Sequence, residues 1–198
     1  MRNSRRQSLI VNNFFTLASI VMLSISMILY SKFIANDEPE EAKKIKVTPL
    51  SCEKEIFSTS KLYNQKLLND SINALDKGYY KLDGAYVKSV HSDSIIEEFI
   101  SLGEIDGFYK KAIEKNPKED ISKFLTIKYE IIENDKKDPN KKSKECKICS
   151  GSILTSFKAN ETEIFRFYID FNLYDKDEIS RRIDCTIKAY RNNAKKIL

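Results

Sequence analysis

The chain has 198 residues and a formal net charge of +5. Residues 1–32 hold three Arg and one Lys but no acid, and without them the 34 basic residues fall to 30, against 29 acidic ones. A nucleic-acid-binding domain carries clustered Lys and Arg, so this near-neutral remainder argues against nucleic acid as a partner. The remaining length of about 150 residues suits one compact domain with an ordinary core.

The N-terminal region is predicted to be a transmembrane helix. Residues 7–31, QSLIVNNFFTLASIVMLSISMILYS, contain no charge, and 25 residues at about 1.5 Å each can cross a hydrocarbon core of about 30 Å. Arg5 and Arg6 precede this run, whereas Asp37 and Glu38 follow it. The positive-inside rule therefore places the N-terminus in the cytoplasm and the rest of the chain outside.

This pattern predicts a domain organisation. Residues 1–6 form a cytoplasmic tail, 7–32 a signal-anchor helix, 33–50 a charged linker with two prolines, and 51–198 an extracytoplasmic domain. The location is then the inner membrane, in a single pass, and the first partner is the lipid bilayer. A cleaved signal peptide is an alternative, although Phe33-Ile34-Ala35 puts Phe where a signal peptidase site has a small residue.

A second alternative comes from a local resemblance. Residues 15–21, FTLASIV, resemble the start of a type IV pilin or pseudopilin, whose mature chain opens with Phe-Thr-Leu and carries Glu at its fifth position. Phe14 stands where that family has Gly before the cleavage site, and Ser19 stands where it has Glu. The resemblance implies a minor pilin-like membrane protein.

All four cysteines, Cys52, Cys146, Cys149 and Cys185, lie in the predicted outer domain. Paired disulfides are the default in an oxidising compartment, and sequence leaves three pairings open. We prefer a bond from Cys185 to Cys146 or Cys149. The Cys146-Lys-Ile-Cys149 spacing also suits a zinc half-site or a redox pair. No second ligand pair and no thioredoxin-like setting accompany it, so we predict no metal site and no cofactor.

Helices are predicted in the first half of the domain. An apolar stripe of Ile56, Tyr63, Leu67 and Ala74 indicates one helix from about Glu53, with Gly78 as its C-terminal cap. Asp83-Gly84 is typical of a two-residue hairpin turn. Ser94 with Glu97 forms a capping box for a helix that ends at Gly103, and a second short helix covers about Ile105–Glu114.

The last third changes to a period of two, which is typical of strands with one buried face. Apolar residues alternate with polar ones over Phe124–Ile132, Thr162–Tyr174 and Glu178–Tyr190, and Ile148–Ala159 is a weaker fourth strand. In Thr162–Tyr174 the alternation predicts that Phe167 points into the core while Arg166 and Tyr168 point outward. The predicted fold class is α+β: an N-terminal transmembrane helix, then helices packed on a curved antiparallel sheet of three to four strands.

Catalytic patterns are weak. His91-Ser92-Asp93 contains the residue types of a hydrolase triad, but sequence neighbours cannot form its geometry. His91 is the only histidine, and the five glycines form no phosphate-binding loop. Asp170 is the carboxylate closest to an apolar setting, and it lies on the polar side of its strand. We therefore predict no catalytic residues and no enzymatic activity.

The element order of tail, span, linker, helices and antiparallel strands resembles the bitopic inner-membrane assembly factors of type IV secretion and conjugation systems. The resemblance implies a periplasmic domain of the nuclear-transport-factor-2-like fold and other envelope proteins as partners. The predicted function is a membrane-anchored, non-enzymatic scaffold or assembly component of a cell-envelope complex, and a homo-oligomer is compatible with this reading. The alternative is a pilin-like or ligand-binding membrane protein.

Overall fold

A computed structural model describes residues 16–28, 47–118, 124–138 and 149–194. The chain divides into two units, Met1–Lys46 and Val47–Leu198. In the first unit, residues 16–28 form helix α1, whose large apolar side chains are exposed within that unit. The predicted tail 1–6 lies outside the described residues, as do most of the predicted linker 33–50 and Cys146.

The described part of the chain contradicts the predicted membrane anchor. Among the described residues no helix combines the length and the apolar character that a membrane span needs. This finding contradicts the transmembrane helix predicted at 7–32 and the single-pass inner-membrane localisation, with an extracytoplasmic C-terminal domain, that depended on it.

The second unit alternates helices and strands. Its helices in chain order are α2 (Ser51–Lys54), α3 (Gln65–Asp76), α4 (Ile96–Phe99), α5 (Leu102–Ile113) and α6 (Lys176–Ala194). Its strands are β1 (Ser58–Leu62), β2 (Tyr80–Val87), β3 (Leu125–Glu133), β4 (Gly151–Ala159) and β5 (Thr162–Phe171). The α+β class is therefore as predicted, whereas the sheet has five strands and not three to four.

The five strands form one mixed sheet in the order β1-β5-β4-β3-β2. β1, β5, β4 and β3 pair antiparallel, and β2 pairs parallel with β3 from Tyr80 opposite Leu125 to Val87 opposite Ile132. A parallel pair needs a crossover, and here α4 and α5 supply it. The sheet is consequently not the purely antiparallel one that was predicted.

One face of the sheet is covered by helices, and we call it the helix face. Tyr190 of α6 stacks on Phe157 of β4 with ring centroids 4.0 Å apart, and Tyr109 of α5 stacks on Tyr129 of β3 at 4.8 Å. The Tyr109 hydroxyl shares a hydrogen bond of 2.7 Å with Thr155 Oγ1, and burial raises the pKa of Tyr109 well above its ordinary value. The core therefore lies between these helices and the odd-numbered residues of β3, β4 and β5.

The last predicted strand, Glu178–Tyr190, is the middle of helix α6. Ile179, Ile183 and Ile187 are spaced by four residues, so they fit a strand of period two as well as a helix of period 3.6. Arg182 resolves the ambiguity, because its guanidinium bonds Glu178 one helical turn away at 3.2 Å. A charge pair at this spacing supports a helix and has no counterpart in a strand.

The helix predicted from Glu53 is also interrupted. Residues 58–62 form β1, since Ser58, Thr59 and Ser60 favour alternatives to the helix and β5 offers a strand to pair with. Helix α3 begins after Asn64, whose side chain accepts a hydrogen bond from Leu67 N at 2.9 Å. The predicted helix thus becomes a short helix, an edge strand and a capped second helix.

Asp83-Gly84 is not a hairpin turn but the middle of strand β2. A Cβ atom at residue 84 would collide with the ring of Tyr129 on the neighbouring strand. Glycine is therefore required here for close approach of the Tyr129 ring. The predicted capping box is displaced as well, because Ser101 and Glu104 cap α5 while Ser94 does not cap α4.

Cys52 of α2 and Cys185 of α6 form a disulfide with Cα atoms 6.0 Å apart. The preferred pairing of Cys185 with Cys146 or Cys149 is therefore wrong. Cys149 is disulfide-bonded as well. Sequence could not choose the partner of Cys185, because the position of Cys52 beside α6 depends on the pairing of β1 with β5.

Candidate interaction surface on the open face of the sheet

The face of the sheet opposite the helices is partly exposed, and we call it the open face. Along β5 the burial pattern alternates, with Phe165, Phe167 and Ile169 fully buried on the helix face and Arg166 exposed on the other. Tyr168 lies on the same side as Arg166 and is half-buried. The predicted inward and outward assignment of Phe167, Arg166 and Tyr168 is confirmed.

The residues that flank strand β1 add two aromatic side chains to this face. Thr59 pairs with Tyr168 and Lys61 with Arg166, so the odd-numbered residues of this segment share the open face. The flanking residues Phe57 and Tyr63 continue the alternation, with 65% and 40% of their area exposed. Large apolar groups exposed on one face at both ends of an edge strand are candidates for contact with another molecule.

These side chains form two neighbouring contact groups along the paired strands, which together we call the β1–β5 corner: Phe57, Lys61, Tyr63, Arg166 and Tyr168. The Phe57 and Tyr168 rings meet edge to face at 5.9 Å. The Tyr63 ring has Lys61 Nζ 4.7 Å from its centroid and the Arg166 guanidinium 5.7 Å from it. The corner is built on two paired strands, so its side chains are held in place before any partner arrives.

Glu163 fixes the position of the Arg166 guanidinium. Arg166 Nε donates to Glu163 Oε1 at 2.8 Å and Nη2 to Oε2 at 2.7 Å, while Ser156 Oγ donates to Oε1 at 2.6 Å. Partial burial acts to raise the pKa of Glu163, but the hydrogen bonds from Arg166 and Ser156 outweigh it and hold the pKa below its ordinary value. The same pair raises the pKa of Arg166.

A cavity of about 230 Å³ lies where the open face meets the end of β3. Its walls include Tyr168, Asp170, Ser152 and Ile132. Asp170 is only 3% exposed, and its backbone N–H donates to Phe57 O at 3.1 Å. It therefore lies on the open side of β5, as predicted from the alternation, but at a buried position.

The residues of the triad-like motif serve a different purpose. His91 Nδ1 lies 2.9 Å from Asp135 Oδ2, and the backbone N–H groups of Val90 and His91 donate to the same oxygen. Ser92 Oγ shares a hydrogen bond with Ser89 Oγ and donates to Asp135 Oδ1. In the described part of the chain neither the Ser89 nor the Ser92 hydroxyl is hydrogen-bonded to the His91 imidazole, and the bonds to Asp135 fasten the loop after β2.

Metal and disulfide chemistry add no further site to this surface. The ranges that the structure describes contain no group of three or more His, Cys, Asp or Glu side chains that could hold a metal ion. Cys52 and Cys185 lie in α2 and α6, and Cys149 lies on the wall of the cavity near the end of β3.

Sequence reasoning identified two of the five corner residues. Arg166 and Tyr168 follow from strand alternation, whereas Phe57 and Tyr63 were assigned to the helix predicted from Glu53. The run Ser58-Thr59-Ser60 was the available signal, because hydroxyl residues in that density favour strands or caps over a helix interior.

Comparisons with known proteins give no further guide to this surface, because no family model, curated protein or solved structure matches the chain.

Proposed function

We propose that the protein is a non-enzymatic scaffold component that binds another protein through the β1–β5 corner. The observation that carries this proposal is the set of exposed Phe57, Tyr63 and Arg166 with half-buried Tyr168, ordered by ring and guanidinium contacts. Aromatic residues and arginine are the residue types enriched at protein interfaces and at their energetic hot spots.

The rigidity of the corner supports the same proposal. Arg166 is held by two hydrogen bonds to Glu163, and Tyr63 lies beside two cations. Side chains that are already ordered lose less conformational entropy on association, so more of the contact energy appears as affinity. A strand-borne surface of this kind suits a specific partner better than a mobile loop.

Cavity size favours a protein partner over a small ligand at this face. Pockets for small molecules have volumes of about 300–1,000 Å³. The cavity adjoining the open face has about 230 Å³, and its walls carry several acidic groups. A macromolecule that covers the corner buries the exposed rings of Phe57 and Tyr63, whereas a ligand inside this cavity leaves them exposed.

Site-specific photocrosslinking tests the proposal in the native cell. A photoreactive amino acid placed at Tyr168 should crosslink to a defined protein, and Arg166→Glu should reduce the yield. The matched control is the same photoreactive residue at Val90, which is 85% exposed and lies outside the corner. Equal crosslinking from both positions would show that the corner has no special role.

The recovered partner then permits a direct measurement. Its affinity for the full chain, measured by calorimetry, should fall about tenfold or more for Tyr168→Ala and for Arg166→Glu, because truncation at a hot spot costs about 2 kcal/mol. Val90→Ala should bind like the unmodified chain. Unchanged affinity in both corner variants, with intact thermal unfolding, would contradict the proposal.

A further inference from the structure

Strand β1 is an edge of the sheet, and its backbone pairs on one side only. Residue pairing with β5 places Thr59 opposite Tyr168 and Lys61 opposite Arg166. Asp170 N donates to Phe57 O and Tyr63 N to Ile164 O, which identifies the odd-numbered residues as the ones bonded to β5. In an antiparallel ladder the intervening residues point their N–H and C=O groups the other way.

Ser60 and Leu62 therefore present backbone donors and acceptors at the free edge. Both residues are exposed, and in the described part of the chain no strand lies beyond β1. A row of unpaired backbone N–H and C=O groups is a template for pairing with another strand. Addition of an extended peptide to such an edge is an established mode of recognition, in which the backbone supplies affinity and alternate side chains supply specificity.

The side chains along β1 define what an added strand would carry. A neighbouring strand places its side chains about 4.5–5.5 Å from those directly opposite. On the open face it would meet Phe57, Thr59, Lys61 and Tyr63 in turn. Apolar residues suit the two aromatic ends of this row, and a carboxylate suits the ammonium group of Lys61.

The charge of Lys61 is available for this contact. Its Nζ contacts the Tyr63 ring, and among the described residues no carboxylate lies within 4.0 Å of it. Arg166, which lies opposite Lys61 on β5, is already bonded to Glu163. An acidic side chain on a strand added beside β1 would therefore pair with Lys61, and not with Arg166, which is already bonded to Glu163.

We propose that the partner contributes an extended acidic segment, which adds to the sheet as an antiparallel strand beside β1 and places a carboxylate on Lys61. This inference rests on the proposed docking at the β1–β5 corner and specifies its chemistry. The segment carries an acidic residue opposite Lys61, an apolar residue opposite Tyr63 and another opposite Phe57. Its backbone bonds the N–H and C=O groups of Ser60 and Leu62.

A competing role for Lys61 predicts different behaviour. Lysine on an edge strand can serve to prevent edge-to-edge pairing between copies of a protein. In that case Lys61→Ala would promote self-association of the chain. The unmodified chain would then have no affinity for an acidic strand. The two roles can be separated with one probe and one variant.

The probe is a synthetic peptide, acetyl-VTETTTV-amide, and its matched control is acetyl-VTKTTTV-amide. With the full chain labelled with nitrogen-15, the first peptide should slow hydrogen exchange at the amides of Ser60 and Leu62. It should bind about tenfold more tightly than the lysine peptide, because opposite charges across strands attract and like charges repel. Lys61→Ala should remove this difference.

A proline variant tests the backbone contact. Ser60→Pro removes an N–H that β5 does not use, and proline is tolerated at such edge positions, so binding should be lost while the fold is kept. Ser60→Ala retains the N–H and should bind normally. If Ser60→Pro does not fold, hydrogen exchange on the unmodified chain still decides, and unprotected Ser60 and Leu62 amides would overturn the inference.

Failure of this inference differs from failure of the proposed function. A partner that requires Tyr168 but binds Ser60→Pro normally would overturn strand addition and leave docking at the corner intact. A partner that ignores both variants would overturn both. Self-association of Lys61→Ala without peptide binding by the unmodified chain would assign Lys61 to protection of the edge and overturn strand addition.

Discussion

Cys52 and Cys185 are joined by a disulfide between segments 133 residues apart, and this bond fastens α2, the element that precedes β1, to the C-terminal helix α6. The adjacent hydrogen bond from Ser58 Oγ to Glu53 O, at 3.0 Å, continues this connection into β1. Strand β1, which with its two flanking residues carries three of the five corner residues, is therefore held by β5 on one side and by the disulfide through α2. Stability and the candidate surface are coupled at this point.

Removal of that disulfide should destabilise the protein substantially. For the double variant Cys52→Ser/Cys185→Ser we expect a loss of about 2–5 kcal/mol in the free energy of unfolding, because the unfolded chain regains the freedom that a long closed loop denies it. Urea unfolding monitored by circular dichroism measures the change. Cys185→Ser alone should lose a similar amount, and an unchanged midpoint in the double variant would contradict a role for the bond in stability.

Phe167 and Tyr168 should respond differently to truncation, because they point to opposite faces of β5. Phe167 is fully buried against the helices, so Phe167→Ala should cost about 3–5 kcal/mol. Tyr168→Ala on the open face should cost about 1 kcal/mol. Thermal unfolding of the full chain measures both, and a thermally silent Phe167→Ala would mean that the register of β5 is wrong.

Gly84 should be intolerant of substitution because of the Tyr129 ring. A Cβ at residue 84 would overlap that ring, so Gly84→Ala should destabilise by about 1–3 kcal/mol, as overpacking does. The double variant Gly84→Ala/Tyr129→Leu should be more stable than the sum of the single changes implies. Simple additivity in this double-mutant cycle, measured by urea unfolding, would refute the steric explanation.

Glu133 should link stability to pH. Partial burial acts to raise its pKa, but hydrogen bonds from Ser94, Ile95, Ser89 and Tyr174 outweigh burial and hold the pKa below its ordinary value of 4.5. A carboxyl whose pKa is lowered by folding contributes stability above its unfolded pKa, and that contribution is lost as pH falls through the folded pKa. Glu133 joins the end of β3 to the loop after β2, with bonds of 3.1 Å to Ser89 N and 3.0 Å to Ile95 N.

Glu133→Gln is the corresponding variant. At neutral pH it should lower the free energy of unfolding by about 1–3 kcal/mol, because the charged acceptor of these hydrogen bonds is gone. The difference from the unmodified chain should shrink as pH falls below about 4.5, because the carboxyl of the unfolded chain is protonated first and the native carboxyl, whose pKa is lower, follows at lower pH. Urea titrations across this range, with Glu161→Gln as an exposed control, measure the effect, and a difference that grows in acid would contradict the assignment.

The period-two pattern determined β3, β4 and β5 from the sequence alone. One buried face per strand requires alternation, and that requirement is local enough to be read without a structure. The same rule placed Phe167 inward and Arg166 outward. Where a segment satisfies two periods at once, as Ile179, Ile183 and Ile187 do, alternation no longer distinguishes strand from helix, and α6 was misassigned for that reason.

Tertiary structure decided the remaining features. Residues 58–62 form a strand because β5 offers an edge to pair with. Gly84 lies within β2, where the Tyr129 ring leaves no room for a Cβ atom. Cys185 is bonded to Cys52 because the pairing of β1 with β5 brings α2 to α6. Each depends on contacts between residues far apart in the chain, which local propensity does not encode. Composition showed an uncharged, largely apolar N-terminal run, whereas the structure was needed to show that no helix among the described residues has the length and apolar character of a membrane span.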